Sequence, residues 1–351
     1  MTGRRSWRLA FACVGAGTPL LMTACGGADA RNETPGDAAP SVDVEAGPGA
    51  TGDDSSTPTA DAGRIDAPHD AASFASCKGL PAQPKGNTTW TISTSSGNRT
   101  ALVHIPPGYD PTQATPVVLN FHGYSGSPTQ EEGLTMMDAS SDAAGFVLVY
   151  PQGTGVLPSW NAGACCGTAA QSNLDDVGFV GSLLDVLEAK LCVDKKRVFA
   201  TGMSNGGFLS HRLGCELADR IAAIAPVAGV MGIPTCNPSR PVPVMEFHGT
   251  ADPVVPYDGN PAIDYASVAD TIAGWVQRDG CQGAATTTYS KGDATCVTYG
   301  SCTAGAEVTL CTIAGGGHTW PGGMPFPLLG KTSTDISATD AMWAFFEKHG
   351  M

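Results

Sequence analysis

Positive charge is scarce in this chain: 19 Lys and Arg stand against 33 Asp and Glu over 351 residues, a formal net charge of −14. A polyanion would meet a repulsive mean field, so DNA and RNA are excluded as partners. Charge of either sign is also sparse, at 15% of residues, while 42% are hydrophobic. That apolar share is enough to build a core. Missing, too, is a long apolar run: residues 9–24 are broken by Gly15, Gly17 and Pro19, too short and interrupted to span a bilayer. No internal repeat and no second low-complexity break divides residues 77–351, which argues for a single domain there.

What is present at the amino terminus indicates export. Arg4, Arg5 and Arg8 precede the apolar run, so residues 1–24 read as a signal peptide. Its end, Leu21-Met22-Thr23-Ala24-Cys25, resembles a bacterial lipobox, which would make Cys25 the lipidated residue and a lipid anchor the only membrane contact. Met22 departs from the commoner Leu, and the other reading is an ordinary signal peptide with a stray Cys. Residues 26–75 are rich in Ala, Asp, Gly, Pro, Ser and Thr, with ten acids and two arginines. Such a segment buries too little apolar surface to offset its ordering entropy, and reads as an acidic, disordered linker. The expected location is extracellular or on the cell surface.

Within 77–351 short apolar runs at 117–121, 146–150, 198–201, 221–227 and 242–247 suit strands buried on both faces of a mainly parallel sheet. Between them Val177, Val180, Leu184, Leu187 and Leu191 recur at helical spacing, as do Leu209, Leu213 and Leu217; residues 339–349 form a closing helix. This alternation predicts a doubly wound α/β fold.

Gly202-Met203-Ser204-Asn205-Gly206 matches G-x-S-x-G, the turn that presents a serine hydroxyl between strand and helix. A random chain of this composition would hold about 0.4 such matches, so context decides. A strand signal precedes the motif and a helix signal follows it, which makes Ser204 the candidate nucleophile. A serine hydroxyl needs a base, and in this arrangement the chain order is Ser, acid, His. His69, His104 and His122 come too early, His211 sits on the same helix as Ser204, and His349 lies in the last turn. His318, in a glycine-rich loop after a strand over 308–313, is the candidate base. Asp252, just past a strand end in Glu246-Phe247-His248-Gly249-Thr250-Ala251-Asp252, is the candidate acid, with Asp258, Asp264 and Asp270 as surface acids and His248 as loop support. An oxyanion needs two N–H donors, assigned to the backbones of Asn205 and Tyr124, the latter in His122-Gly123-Tyr124-Ser125-Gly126.

Taken together with Tyr150-Pro151-Gln152-Gly153, Trp160-Asn161-Ala162-Gly163, Cys165-Cys166-Gly167, Asp175-Asp176-Val177 and the loop over 317–322, these motifs make the chain resemble the secreted polyhydroxybutyrate depolymerase and feruloyl esterase family over essentially all of 77–351. The resemblance implies an α/β-hydrolase fold, a serine esterase with no metal or organic cofactor, and the triad Ser204, Asp252 and His318. The implied substrates are feruloyl esters of plant cell-wall xylan, acetylated xylan or short-chain polyesters. Dedicated extracellular polyester depolymerases commonly carry an added binding domain, which tilts the expectation toward soluble or oligomeric feruloyl-type esters. Trp160, Trp320 and His122 are candidate substrate-binding residues, the two tryptophans being equally plausible as packing. An acyltransferase sharing the acyl-enzyme, and a noncatalytic binding module on the same fold, are the competing functions.

Ten cysteines follow the signal region, an even count that in an exported chain suggests five disulfides. Cys296 with Cys311 across a hairpin, Cys281 with Cys302 and Cys215 with Cys236 are the expected local closures. Cys77, Cys165, Cys166 and Cys192 remain unassigned, and zinc at the adjacent pair is disfavoured because chelating cysteines need a gap of two to four residues.

Overall fold

Apolar runs without alternation need cover on both faces, and here they have it. The computed structural model describes residues 77–95 and 97–351; the signal peptide, Cys25 and the 26–75 linker lie outside the described residues. In chain order the elements are β1 (Gly86–Thr94), β2 (Gly97–Ile105), β3 (Thr115–Phe121), α1 (Pro128–Thr135), α2 (Met137–Ala144), β4 (Val147–Pro151), α3 (Gly167–Gln171), α4 (Asp176–Lys190), β5 (Val193–Met203), α5 (Asn205–Glu216), β6 (Ala223–Val227), β7 (Val244–Gly249), α6 (Val268–Arg278), β8 (Thr286–Lys291), β9 (Ala294–Tyr299), β10 (Val308–Ile313) and α7 (Ala338–Phe346). One ten-stranded sheet runs β1-β2-β4-β3-β5-β6-β7-β10-β9-β8. Its middle, from β4 to β10, is parallel, and antiparallel pairs close both edges.

Every residue of β3, β4, β6 and β7 is buried. Alternate side chains feed opposite layers, as strand geometry requires. Val117, Leu119 and Phe121 join the core under α4, α5 and α6, whereas Val118 joins the one under α7. Helix α4 is seated by Phe179, Val180, Leu183, Leu184 and Leu187, spaced three and four apart, and capped by the Asp175 carboxylate, which accepts from the Gly178 N–H. Truncating one of these buried leucines to Ala would cost about 2–5 kcal/mol. On the other face α7 stacks Phe346 on Phe199, with ring centroids 4.5 Å apart, and Trp343 on Phe146 at 4.2 Å.

The three expected disulfides form: Cys215–Cys236, Cys281–Cys302, and Cys296–Cys311 between directly paired residues of β9 and β10. The unassigned four also pair. Cys77 joins Cys192 across 115 residues of sequence, tying the start of the described chain to the end of α4, and Cys165 joins its neighbour Cys166.

Candidate active site

Strand β5 ends at Met203, α5 begins at Asn205, and Ser204 makes the turn between them with φ 56° and ψ −121°. The positive φ falls on the serine, not on its flanking glycines. Those glycines answer to crowding: a Cβ on Gly202 or Gly206 would collide with the Phe121 carbonyl oxygen at the end of β3. The Ser204 N–H donates to the Val227 carbonyl (2.9 Å), which holds the turn against β6. A nonglycine residue at such a backbone angle costs about 1–3 kcal/mol, a strain expected at functional turns.

Asp252 lies on the loop after β7 and is 6% exposed. Its Oδ1 accepts from the Val254 and Val255 N–H groups, both at 2.8 Å, and its Oδ2 accepts from His318 Nδ1 at 2.7 Å. His318 is 4% exposed, and its backbone N–H donates to the Leu329 carbonyl (2.8 Å), which pins the loop after β10. Ser204 and His318 open onto one cavity of about 660 Å³. The 122–126 loop forms another wall: a Cβ on Gly123 would lie 3.4 Å from the Ser204 Cβ. Within that loop the Ser125 N–H donates to Pro158 O and the Gly126 N–H to Gly123 O, bonds that leave the turn folded around Tyr124. Asn205 occupies the first turn of α5, where helix geometry supplies no acceptor for the backbone N–H.

Of the three candidate substrate-binding residues, the two tryptophans lie away from the cavity and His122 borders it. Trp160 and Trp320 are both 0% exposed and wall no part of the cavity. Trp160 packs edge-on to Phe121 and donates its indole N–H to the His122 carbonyl (2.9 Å); Trp320 donates to Thr339 Oγ1 (3.1 Å) inside the α7 core. The packing reading is the one the structure selects, because an indole whose N–H has an internal acceptor is fully satisfied when buried. His122 does border the cavity, yet both ring nitrogens are engaged by backbone. Its Nε2 accepts from the Gly153 N–H (2.9 Å), so Nδ1 carries the proton and donates to Gly123 O (2.7 Å). Burial pushes its pKa down to about 4. His122 is therefore a neutral brace for the loop.

Other motif residues brace the structure around the elbow. The Asn205 carboxamide accepts from the Trp160 N–H (2.7 Å) and donates to the Trp160 carbonyl (3.0 Å). Asp176 accepts from the Asn161 N–H (2.6 Å) and pairs with Arg99 (2.5 Å). Two wall components carry no sequence signal of their own. These are the 324–329 segment with Met324 and Phe326, and α1 with its buried Glu131, whose carboxyl is driven well above the usual range by burial, against a bond from the Met203 N–H. Among the described residues no group of three or more His, Cys, Asp or Glu side chains is arranged to hold a metal ion, and no helix is long and apolar enough to cross a membrane.

A strand–serine–helix elbow on a parallel sheet, with an acid–imidazole pair brought to it from the ends of two later strands, defines an α/β-hydrolase. The same architecture is found in an acetyl xylan esterase from Aspergillus awamori (TM-score 0.55, 14% identity, covering 74% of this chain and 99% of that one). No family profile matches the chain. Among curated proteins it is 34% identical over 234 residues to feruloyl esterase B of Piromyces equi, spanning 63% of this chain but 42% of that protein's length. It is 31% identical over 289 residues to a Nocardia uniformis subsp. tsuyamanensis protein named as an esterase, NocK, covering 74% of this chain and 82% of that protein. The chain belongs to the esterase family of that second relative, and it is also similar to proteins named feruloyl esterase and acetylxylan esterase.

Proposed function

We propose that the protein is a serine esterase that cleaves carboxylic esters through an acyl-enzyme. Ser204 Oγ attacks the ester carbonyl as His318 Nε2 takes its proton. Asp252 accepts the Nδ1 proton of His318 in a hydrogen bond and stabilises the imidazolium that forms. The Asn205 and Tyr124 amides receive the oxyanion. His318 then protonates the departing alcohol, and a water attacks the acyl-enzyme by the same steps in reverse order. The observation that carries the reading is the 2.7 Å bond between Asp252 and His318 beside the cavity that Ser204 enters. It leaves Nε2 as the free nitrogen on the ring.

The proposed substrates are feruloyl and acetyl esters of xylan, after the names of the relatives. A second reading, a short-chain polyester, is favoured by the apolar rim of Tyr124, Val254, Met324 and Phe326, each 43–53% exposed. Rates on methyl ferulate, acetylated xylan and a hydroxybutyrate oligomer, measured side by side with wild type and Ser204→Ala, test both. Activity that survives Ser204→Ala refutes the mechanism, and failure on all three esters points to a noncatalytic or acyl-transferring protein. Five disulfides support export to an oxidising space. We further propose lipid attachment at Cys25 as the only membrane contact. An intact mass without added acyl chains would leave plain secretion.

A further inference from the structure

Behind the acid–imidazole pair lies a second set of buried ionisable groups that the esterase mechanism does not use. Glu246 on β7 is 0% exposed and sits between two imidazoles, His211 of α5 at 3.1 Å from Oε2 and His248 of β7 at 3.2 Å from Oε1. His248 Nε2 lies 2.9 Å from the Val255 carbonyl and 3.6 Å from the Asp252 Oδ2 that receives His318. The Tyr257 ring meets His248 edge-on at 5.8 Å, Thr312 is its partner on β10, and His318 faces it across the shared Asp252 Oδ2.

The protons in this set can be counted from the donors. The Trp275 indole of α6 can only donate, so His211 Nδ1 accepts from it (3.0 Å) and His211 Nε2 carries the proton given to Glu246. The Val255 carbonyl can only accept, so His248 Nε2 carries a proton as well. One contact remains, His248 Nδ1 to Glu246 Oε1, and it needs one proton. Two buried carboxylates, Glu246 and Asp252, flank His248, and like charges in one buried site cannot both ionise without a cation between them.

We propose that His248 is a positioning residue for the triad, an imidazolium held between Glu246 and Asp252 that lets both carboxylates stay ionised and keeps Asp252 Oδ2 a pure acceptor for His318. The direction of the shifts agrees. Burial lowers the His248 pKa, but the Glu246 hydrogen bond and charge outweigh it and raise it above its ordinary value. Burial raises that of Glu246, and its bonds to His211 and His248 bring it below the usual carboxylate range.

The inference rests on the triad reading, and its tests separate the two. Nitrogen NMR of the histidine-labelled wild-type protein, assigned by loss of a signal in His248→Gln, reads the ring in the absence of substrate. Both His248 nitrogens must be protonated at about pH 8, well above the ordinary imidazole pKa. A neutral tautomer there overturns the proposal whether or not the protein is an esterase. In kinetics, His248→Gln leaves two buried carboxylates without their cation, so kcat falls by about tenfold or more with KM within about twofold, and the acid limb of kcat/KM moves to higher pH. Adding Glu246→Gln removes the competing carboxylate, so the double variant recovers activity and returns the limb toward the wild-type position. A double variant no better than His248→Gln refutes the electrostatic role and leaves a structural one. If Ser204→Ala keeps activity while the NMR result holds, the triad reading fails and the ion set stands as a fact of the fold.

Discussion

Replacing Asp252 by Asn changes one atom, and its effect follows from which oxygen each neighbour holds. Oδ1 accepts two backbone N–H groups, from Val254 and Val255, and Oδ2 accepts the His318 Nδ1 proton. In Asp252→Asn the carboxamide can be placed two ways. With its oxygen on the two backbone donors, its NH2 faces His318. The ring must then carry its proton on Nε2, the nitrogen that has to receive the Ser204 proton. With its oxygen on His318, the NH2 meets two N–H donors, each left unsatisfied at about 1–3 kcal/mol. The backbone therefore selects the unproductive orientation by about 2–6 kcal/mol. The wrong tautomer is expected to lower kcat by about 10⁴-fold, which corresponds to about 5 kcal/mol of transition-state stabilisation. Initial rates on a soluble aryl ester give kcat, and circular dichroism verifies the fold. Asp258→Asn, at an exposed carboxylate, is the matched control with an unchanged rate. A folded Asp252→Asn protein within about tenfold of wild-type kcat would refute the assignment of the acid.

Ser204→Ala is expected to lose several orders of magnitude in ester hydrolysis while its thermal midpoint stays close to wild type, because the hydroxyl contributes little packing; rate and melting curve check it together. His122, neutral when folded with a pKa of about 4, binds fewer protons than the unfolded chain, so its contribution to stability is present above about pH 6.5 and is lost as pH falls toward 4. Asp279, raised by burial to about 6, acts with the opposite sign, so the readout is the wild-type minus His122→Gln difference in urea stability, which should shrink over that window. Removing Cys77–Cys192 with a Cys77→Ala, Cys192→Ala pair releases a closure of 115 residues and should destabilise the domain by up to about 5 kcal/mol, read from denaturant midpoints.

The central sheet was legible because strands covered on both faces carry mainly apolar runs, as β3 and β4 do, and β7 reads the same way although Glu246 and His248 are buried within it. The edge was not: β1 alternates Trp90 and Ile92 with exposed Thr89 and Thr91, a weaker pattern with no chemistry attached. Ser204, Asp252 and His318 could be picked out because each follows a strand in the order that an elbow demands, and the structure brings Asp252 and His318 into contact. The tryptophans could not be sorted, since a rare aromatic beside a glycine loop looks the same whether its indole meets substrate or a carbonyl. The Cys77–Cys192 pair was hidden for another reason. Its two residues, 115 apart in sequence, come together where α4 packs against β1, a tertiary contact that no local pattern records.

The double hydrogen bond between the Asn205 side chain and the Trp160 backbone makes the residue after Ser204 a cross-brace between the elbow and the loop that carries Cys165 and Cys166, which lines no part of the cavity. Loop redesign there would displace the proposed oxyanion donor while leaving the cavity lining alone, so turnover would suffer with no direct gain in substrate range. By contrast, α1 and residues 324–326 border the cavity without a bond to the proposed acid, base or oxyanion donors, whereas Leu329 anchors the His318 backbone. Those two segments are where selectivity can be altered while turnover is retained, and a library confined to them is the economical route to a different ester preference on this scaffold.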